Sequence, residues 1–317
     1  MNSPNLNSAP VTKSLAYQSF PAVYRHADAS AIRYRRRYSS VVVSFVLFSV
    51  AAPICQLLLG SNRQALATSL LIATFAQLGV ALINAGSNQS KGWYESRAVA
   101  ESTKSLTWRF AVGGSPFGIP QIPSRQSDVT QFSIRLMELV NAFHEHGMAF
   151  DSTEMVLDED ISELITLRHS SLLNRQETYR QGRLEEQLRW YVGKAQQQGK
   201  QARKLNFLTV LVSLTAVTVA AIATSGQASD LLLKGISTLS ASALGFLAFS
   251  KSQSYSLNAS AYQLASYEIR LILGQQVPTD ENEWAEWVDQ AEEALSREHV
   301  MWQTSKSVRS GLRRSQQ

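Results

Sequence analysis

Cysteine is nearly absent: the 317-residue chain has one, Cys55, so no disulfide framework holds it together. Histidine is scarce too. His26, His144, His146, His169 and His299 are scattered, without the spacing that gathers ligands around a metal. Alternate positions, as in His144-Glu145-His146, do not converge on a helix, and Asp158-Glu159-Asp160 reads as a helix start. No GxGxxG, P-loop, HExxH or GxSxG arrangement occurs. These absences predict a protein that is not an enzyme and takes neither metal nor cofactor.

Charge is also missing, over long stretches. Ser39–Asn62 and Gln64–Ser90 are uncharged and apolar, separated only by Arg63 at a Gly60-Ser61-Asn62 turn. Each exceeds the roughly 20 residues a helix needs to cross the hydrocarbon layer, and so short a turn forces antiparallel neighbours. A second hairpin of the same build lies at Leu205–Ser250, where Leu205–Ser229 is uncharged and Asp230 and Lys234 mark the turn.

What charge there is crowds the edges of these runs. The net charge is +5, and residues 1–38 hold Lys13, Arg25, Arg33, Arg35, Arg36 and Arg37 against Asp28 alone. A basic balance often signals nucleic acid, but topology accounts for this one and no direct nucleic-acid binding is expected. Arg33–Arg37, Lys91, Arg97, Lys194, Lys200, Arg203, Lys204 and Lys251 fall on one side of the runs, and Arg63, Asp230 and Lys234 on the other. The positive-inside rule then puts both termini and the middle region in the cytoplasm of a multi-pass inner-membrane protein. Arg33, Arg35, Arg36, Arg37, Arg203 and Lys204 are the expected inner-leaflet anchors.

Within the second run, Thr74, Gln77, Asn84 and Asn88 share a helical face. Side-chain amides are costly against lipid, so that face looks either at other helices, as interhelical glue, or at a pore. Ala216 and Ala220 in the third run, and Ser237, Ala241 and Gly245 in the fourth, recur every four residues as close-packing faces.

Outside the runs the pattern is helical. Ser19–Tyr38, with Pro21 near its start, leads into the membrane; Lys91–Phe110 continues out of it until Gly113–Ser124 (GGSPFGIPQIPS) forbids helix or strand. Asp128 and Gln131 read as a capping box opening a helix with Phe132, Leu136, Val140 and Phe143 on its apolar face. Leu184, Leu188, Tyr191 and Ala195 form a helix–helix seam. Lys251–Arg270 repeats the place of Lys91–Phe110, and Thr279 or Asp280 caps an acidic terminal helix with Trp284, Trp287, Leu295 and Trp302. The expected fold is an all-α membrane protein: two transmembrane helical hairpins, four spans, with long cytoplasmic helices, internally duplicated. Residues 1–19 are expected to be disordered, 20–150 a first module (hairpin about 39–90), 151–304 a second (hairpin about 205–250), and 305–317 a basic disordered tail.

This layout resembles the SLATT family, the SMODS- and SLOG-associating two-transmembrane domains, present twice in tandem. The second module carries Tyr179-Arg180, Arg183-Leu184, Gln187-Leu188, Trp190-Tyr191 and Lys194-Ala195 before its hairpin, Tyr255, Asn258, Ala259 and Tyr262 after it, and Glu298 and Trp302 near the end. The first carries Pro21 through Ala27-Asp28, then Tyr94, Arg97, Ala100, Glu101, Lys104, Ser105 and Trp108. The resemblance implies a bacterial membrane effector of defence or conflict systems, antiphage defence among them. It breaches or depolarises the membrane when a nucleotide-signalling or sensor partner is triggered, and it brings no catalytic residue. One copy's four helices enclose no channel, so a pore needs a homo-oligomer in the lipid bilayer. The alternative is a passive membrane scaffold or sensor that recruits a partner through its cytoplasmic helices.

Overall fold

The computed structural model describes residues 15–59, 62–64, 67–68, 70–71, 74–75, 77–79, 89–119, 125–145, 161–224 and 229–296. Among them every regular element is helical and none is a strand. Residues 1–14, Asn84, Asn88, Asp158–Asp160, Glu298, Trp302 and the tail 305–317 lie outside the described residues, as do the side chains of Phe143, Asp230, Lys234, Ser237 and Ala241.

Within the segment expected to be disordered, Leu15 is buried and Tyr17–Ser19 forms a 3-10 turn. Helix α1 (Ala22–Leu59) begins directly after Pro21, where a missing N–H is harmless, and stays helical through Pro53. Helical residues follow at 63–64, 67–68, 70–71, 74–75 and 77–79. Helix α2 (Gln89–Val112) ends at the Gly-Gly break and α3 (Arg125–Glu145) follows it. The latter starts three residues before the expected capping box, and the Asp128 carboxylate accepts from Arg168 at 3.0 and 3.1 Å. Then come α4 (Ser162–Arg168), α5 (Leu172–Tyr179) with Ser171 as its N-cap, a π-helical turn (Arg180–Glu185), and α6 (Glu186–Ala223). Helices α7 (Asp230–Gln253) and α8 (Tyr255–Leu273) are separated by Ser254, whose φ of 52° ends the first. The stretch expected as one helix from Lys251 is therefore two. Helix α9 (residues 281–296) is capped by Asp280, whose Oδ1 accepts from the N–H groups of Asn282 (2.8 Å) and Glu283 (3.3 Å).

The chain forms two compact units. The first comprises residues up to Ser30, Tyr94–Val192 and Leu264 onward; the second comprises Ala31–Trp93 and Gly193–Gln263. The first is an ordinary buried core. Trp108, Tyr179 and Trp284 meet edge to face around ring-centroid distances of 5.9 Å, and Phe110, Phe117 and Phe132 form a second aromatic cluster. Such pairs contribute about 0.5–1.5 kcal/mol each beyond area burial. The second unit turns apolar side chains outward, as detailed below. Among the described residues one helical stretch, Leu172–Ala223, contains a window long and apolar enough to cross a bilayer, and Thr238–Leu247 is a shorter apolar stretch.

In the first unit, α2 closes with a hydrogen-bonded C-terminal turn. Gly113, at φ 76°, donates to Phe110 O, and Gly114 donates to Arg109 O at 2.7 Å, the Schellman pattern. A Cβ on Gly113 would lie 2.8 Å from Arg175 Nη1, and one on Gly114 would lie 2.4 Å from Val288 Cγ1. Gly193 in α6, by contrast, has nothing within 4 Å of that position. Gly113→Ala is expected to cost about 2 kcal/mol, from left-handed strain and a displaced arginine. Gly193→Ala is expected to gain about 1 kcal/mol of helix propensity. Unfolding midpoints of the detergent-solubilised full chain should move in opposite directions.

Candidate functional site

The first unit is organised by charged side chains that are almost wholly buried. Arg183 and Glu292 have side-chain exposures of 2% and 0%. Arg183 Nε donates to Glu292 Oε1 at 2.9 Å and its Nη2 donates to Oε2 at 2.8 Å, a bidentate fork. Tyr179 completes the carboxylate's shell, its hydroxyl donating to Oε1 at 2.9 Å. Burial and the adjacent Glu292 carboxylate both push the Tyr179 phenol well above its usual range, so it stays a neutral donor. Burial works against the charge on Arg183, but Glu292, with smaller help from Glu101, outweighs it and holds the guanidinium above its ordinary value.

Two further arginines hold the end of α2. Arg168 Nη1 donates to Phe110 O (2.9 Å) and Phe117 O (2.7 Å), while its guanidinium lies 5.2 Å from the centre of the Phe110 ring. Arg175 Nη1 donates to Val112 O at 2.9 Å and its Nη2 pairs with Glu281. The Trp284 indole N–H donates to the same Val112 carbonyl at 2.8 Å. Arg109 pairs with Asp289. Glu281, Asp289 and Glu292 thus seat α9 on three arginines from other parts of this unit. At the other edge of the same unit Arg97 pairs with Glu101 (2.5 Å) and Asp28 (3.7 Å) and lies 5.7 Å from the centre of the Trp190 ring.

The π-helical turn sets the phase of this wall. Arg175, Tyr179 and Arg183 are buried on or before it, and Gln187, Tyr191, Ala195 and Gln198 after it. The seam expected from sequence therefore holds at Leu184, Tyr191 and Ala195, while Leu188 is only half-buried and Gln187 takes the interior place. Sequence reasoning did not single out Arg168, Arg175 or the carboxylates of Glu281, Asp289 and Glu292. Their signal was the recurrence of Arg168, Arg175 and Arg183 every seven or eight residues, and the acidic stripe Glu281, Asp289 and Glu292 on the terminal helix. This constellation can clamp helices. It has no nucleophile–base pair, and no group of three metal-ligating side chains occurs among the described residues.

In the second unit, exposure and apolarity go together. Leu47 and Leu58 of α1, Phe75, and Phe207, Val210, Leu214 and Val217 of α6 are all more than half exposed. Small residues sit inward instead: Ala202, Ala216, Ala243 and Gly245 are buried, and Ala220 is half-buried. Hydroxyls are spent on their own helices. Thr209, Thr215 and Thr218 donate to carbonyls four residues back at 2.8–2.9 Å, and Thr74 donates to Leu70 O and Leu71 O. Gln77 lies half-buried three residues beyond Thr74. Arg33, Arg36, Arg37, Arg203 and Lys204 are exposed, and Arg35 stacks on Trp93 with its guanidinium 4.9 Å from the ring centre.

Family models match both halves of the chain. Residues 21–176 match SMODS and SLOG-associating 2TM effector domain 3 (SLATT_3), and residues 179–302 match SMODS and SLOG-associating 2TM effector domain 1 (SLATT_1). No curated protein and no solved structure matches.

Leaving one partner of a buried ion pair unpaired typically costs 3–5 kcal/mol, whereas an apolar replacement of both is close to neutral. Glu292→Gln is therefore expected to destabilise the chain by about 3 kcal/mol or more, and Arg183→Met with Glu292→Leu by much less, in a double-mutant unfolding cycle. A second test uses pH. Burial, then the like charge of Arg183, pushes Lys104 below its ordinary value of 10.5. Between that lowered value and 10.5 the unfolded chain binds more protons, so this group makes stability rise with pH across that window. Lys104→Met is expected to stabilise the chain at neutral pH, with the gap to wild type closing as pH approaches 10.5.

Proposed function

We propose a function on one premise: the chain belongs to the SLATT family of SMODS and SLOG-associating 2TM effector domains, two of which cover most of it. It is a membrane effector of a bacterial conflict system. Four spans cross the inner membrane with both termini in the cytoplasm, and the chain oligomerises into a pore, or otherwise perturbs the bilayer, when a nucleotide-signalling or sensor partner engages its wet helices. It is not an enzyme.

The observation that carries this reading is the outward apolar surface of the second unit, led by Phe207, Val210, Leu214 and Val217 on α6. A water-soluble domain does not leave so much contiguous apolar surface uncovered. In lipid the same surface is at rest, and hydroxyls bonded back to their own helix meet the requirement that polar groups be satisfied without water. Lipid as solvent for this unit therefore explains both features at once. Activation would then be a shift between closed and open packings, driven by a partner's differential contacts with them.

The Thr74 hydroxyl, engaged by its own backbone, keeps the scaffold reading alive, since a non-conducting bundle needs no more. Stepwise currents from the purified chain in planar bilayers support the pore; silence under every trigger supports the scaffold. In cells, overexpression is expected to arrest growth and collapse membrane potential, relieved by Gln77→Leu with Asn84→Leu. Equal toxicity of both proteins at matched membrane levels would remove these residues from the lining.

A further inference from the structure

The second unit has a charge imbalance that its own residues do not correct. It holds a single carboxylate, Asp230, against twelve Lys and Arg, and no Asp or Glu occurs between Asp28 and Glu95. Four of those cations are packed into Arg33, Arg35, Arg36 and Arg37 on α1, and the structure sorts them. Arg35 is turned to the Trp93 ring, 4.9 Å from its centre, and the neighbouring Tyr34 ring packs on Gly92. At 100° per residue, Arg33, Arg36 and Arg37 fall on the other side of the helix, all exposed to solvent.

That arginine face runs straight into an apolar one. Counting from Arg36 at 100° per residue, Val43, Leu47, Ile54 and Leu58 all fall within about 40° of it. They are 40%, 64%, 41% and 73% exposed. Ser40, between the two zones, spends its hydroxyl on Arg36 O at 3.0 Å, so no polar donor interrupts the ridge. From Arg36 to Leu47 is about 16 Å along the helix, close to half the roughly 30 Å hydrocarbon layer and so to one leaflet.

We propose that this face of α1 is a binding site for one anionic phospholipid, its phosphate held by Arg33, Arg36 and Arg37 and its acyl chain laid along Val43 and Leu47. The pattern of cations above and, below them, the Val43–Leu47 part of the ridge, one leaflet deep, matches an amphiphile; a free phosphate has no use for the ridge, and an acidic peptide has none either. Arg35 is turned to Trp93, away from this face, and takes no part in holding the lipid. The inference rests on the membrane reading above but not on conduction.

The test is lipid retention. Full-length chain in nanodiscs of phosphatidylcholine with phosphatidylglycerol is extracted into mild detergent, and the phosphatidylglycerol that stays bound is counted by native mass spectrometry. Wild type and R35Q are expected to retain it. The R33Q/R36Q/R37Q variant is expected to bind on the order of a hundredfold more weakly, and R36Q alone, which guards against misfolding of the triple variant, about fivefold. Retention unchanged in both overturns the proposal. Displacement of the lipid by millimolar inorganic phosphate, or by a polyglutamate peptide, overturns the lipid as occupant. Retention with no current in planar bilayers overturns only the pore; a chain that never enters the disc overturns the membrane reading and the lipid site together.

Discussion

A helix that ends inside a protein leaves carbonyls with no intrahelical donor, and those at the end of α2 decide how the first unit is packed. Gly113 and Gly114 satisfy Phe110 O and Arg109 O from within the turn. Phe110 O also accepts from Arg168, and Val112 O accepts from Arg175 and the Trp284 indole. Three elements distant in sequence, α4, α5 and α9, are thus tied to one helix end. Cations at a helix C-terminus also complement its dipole. Each arginine is neutralised in turn, Arg168 by Asp128 and Arg175 by Glu281, which is what makes burying them tolerable.

Once α9 is drawn in at Glu281 and Trp284, its next turns place Asp289 against Arg109 and Glu292 against Arg183. The Tyr179 hydroxyl then closes the Glu292 shell. Helix register is fixed here by polar contacts that tolerate no slip, where leucine against leucine would tolerate several. The aromatic contacts of Trp108, Tyr179 and Trp284 fill the space between these anchors. Stability and specificity come from different atoms: the rings supply area, and the ion pairs choose among the packings area would allow.

Much of this was legible in the sequence, and what was not has a physical reason. Apolar periodicity and punctuation gave α1, α2, α6 and the break at Gly113, because those depend on local chemistry. The interior Glu292 carboxylate was missed because Arg and Glu read as solvated, and it lies 109 positions from Arg183 in the chain. Of the seam expected at Leu184, Leu188, Tyr191 and Ala195, Leu188 is half-buried and the polar Gln187 takes an interior place, which apolar periodicity cannot flag. Asp128 looked like a cap because capping is the commonest use of an aspartate before a helix; its carboxylate accepts from the buried Arg168. Of the polar candidates in the second run, Thr74 and Gln77 lie among the described residues, and Asn84 and Asn88 do not.

Duplication in sequence and partition in space are different divisions of this molecule. The two family matches meet between 176 and 179, just before the π-helical turn that begins at Arg180. Each compact unit draws on both matched regions. Within the first unit, Trp108 and Arg97 from the first match touch Tyr179 and Trp190 from the second, and Val112 O is held by Trp284. Cutting the chain between the matches would leave buried Trp108 on the opposite fragment from Tyr179, and Val112 O on the opposite fragment from the Trp284 indole. The two matched regions therefore share one core within the first unit, with the chain itself setting the effective concentration of one for the other. The pairing of one domain-3 unit with one domain-1 unit is then fixed by covalent linkage, and any further assembly must use surfaces other than these.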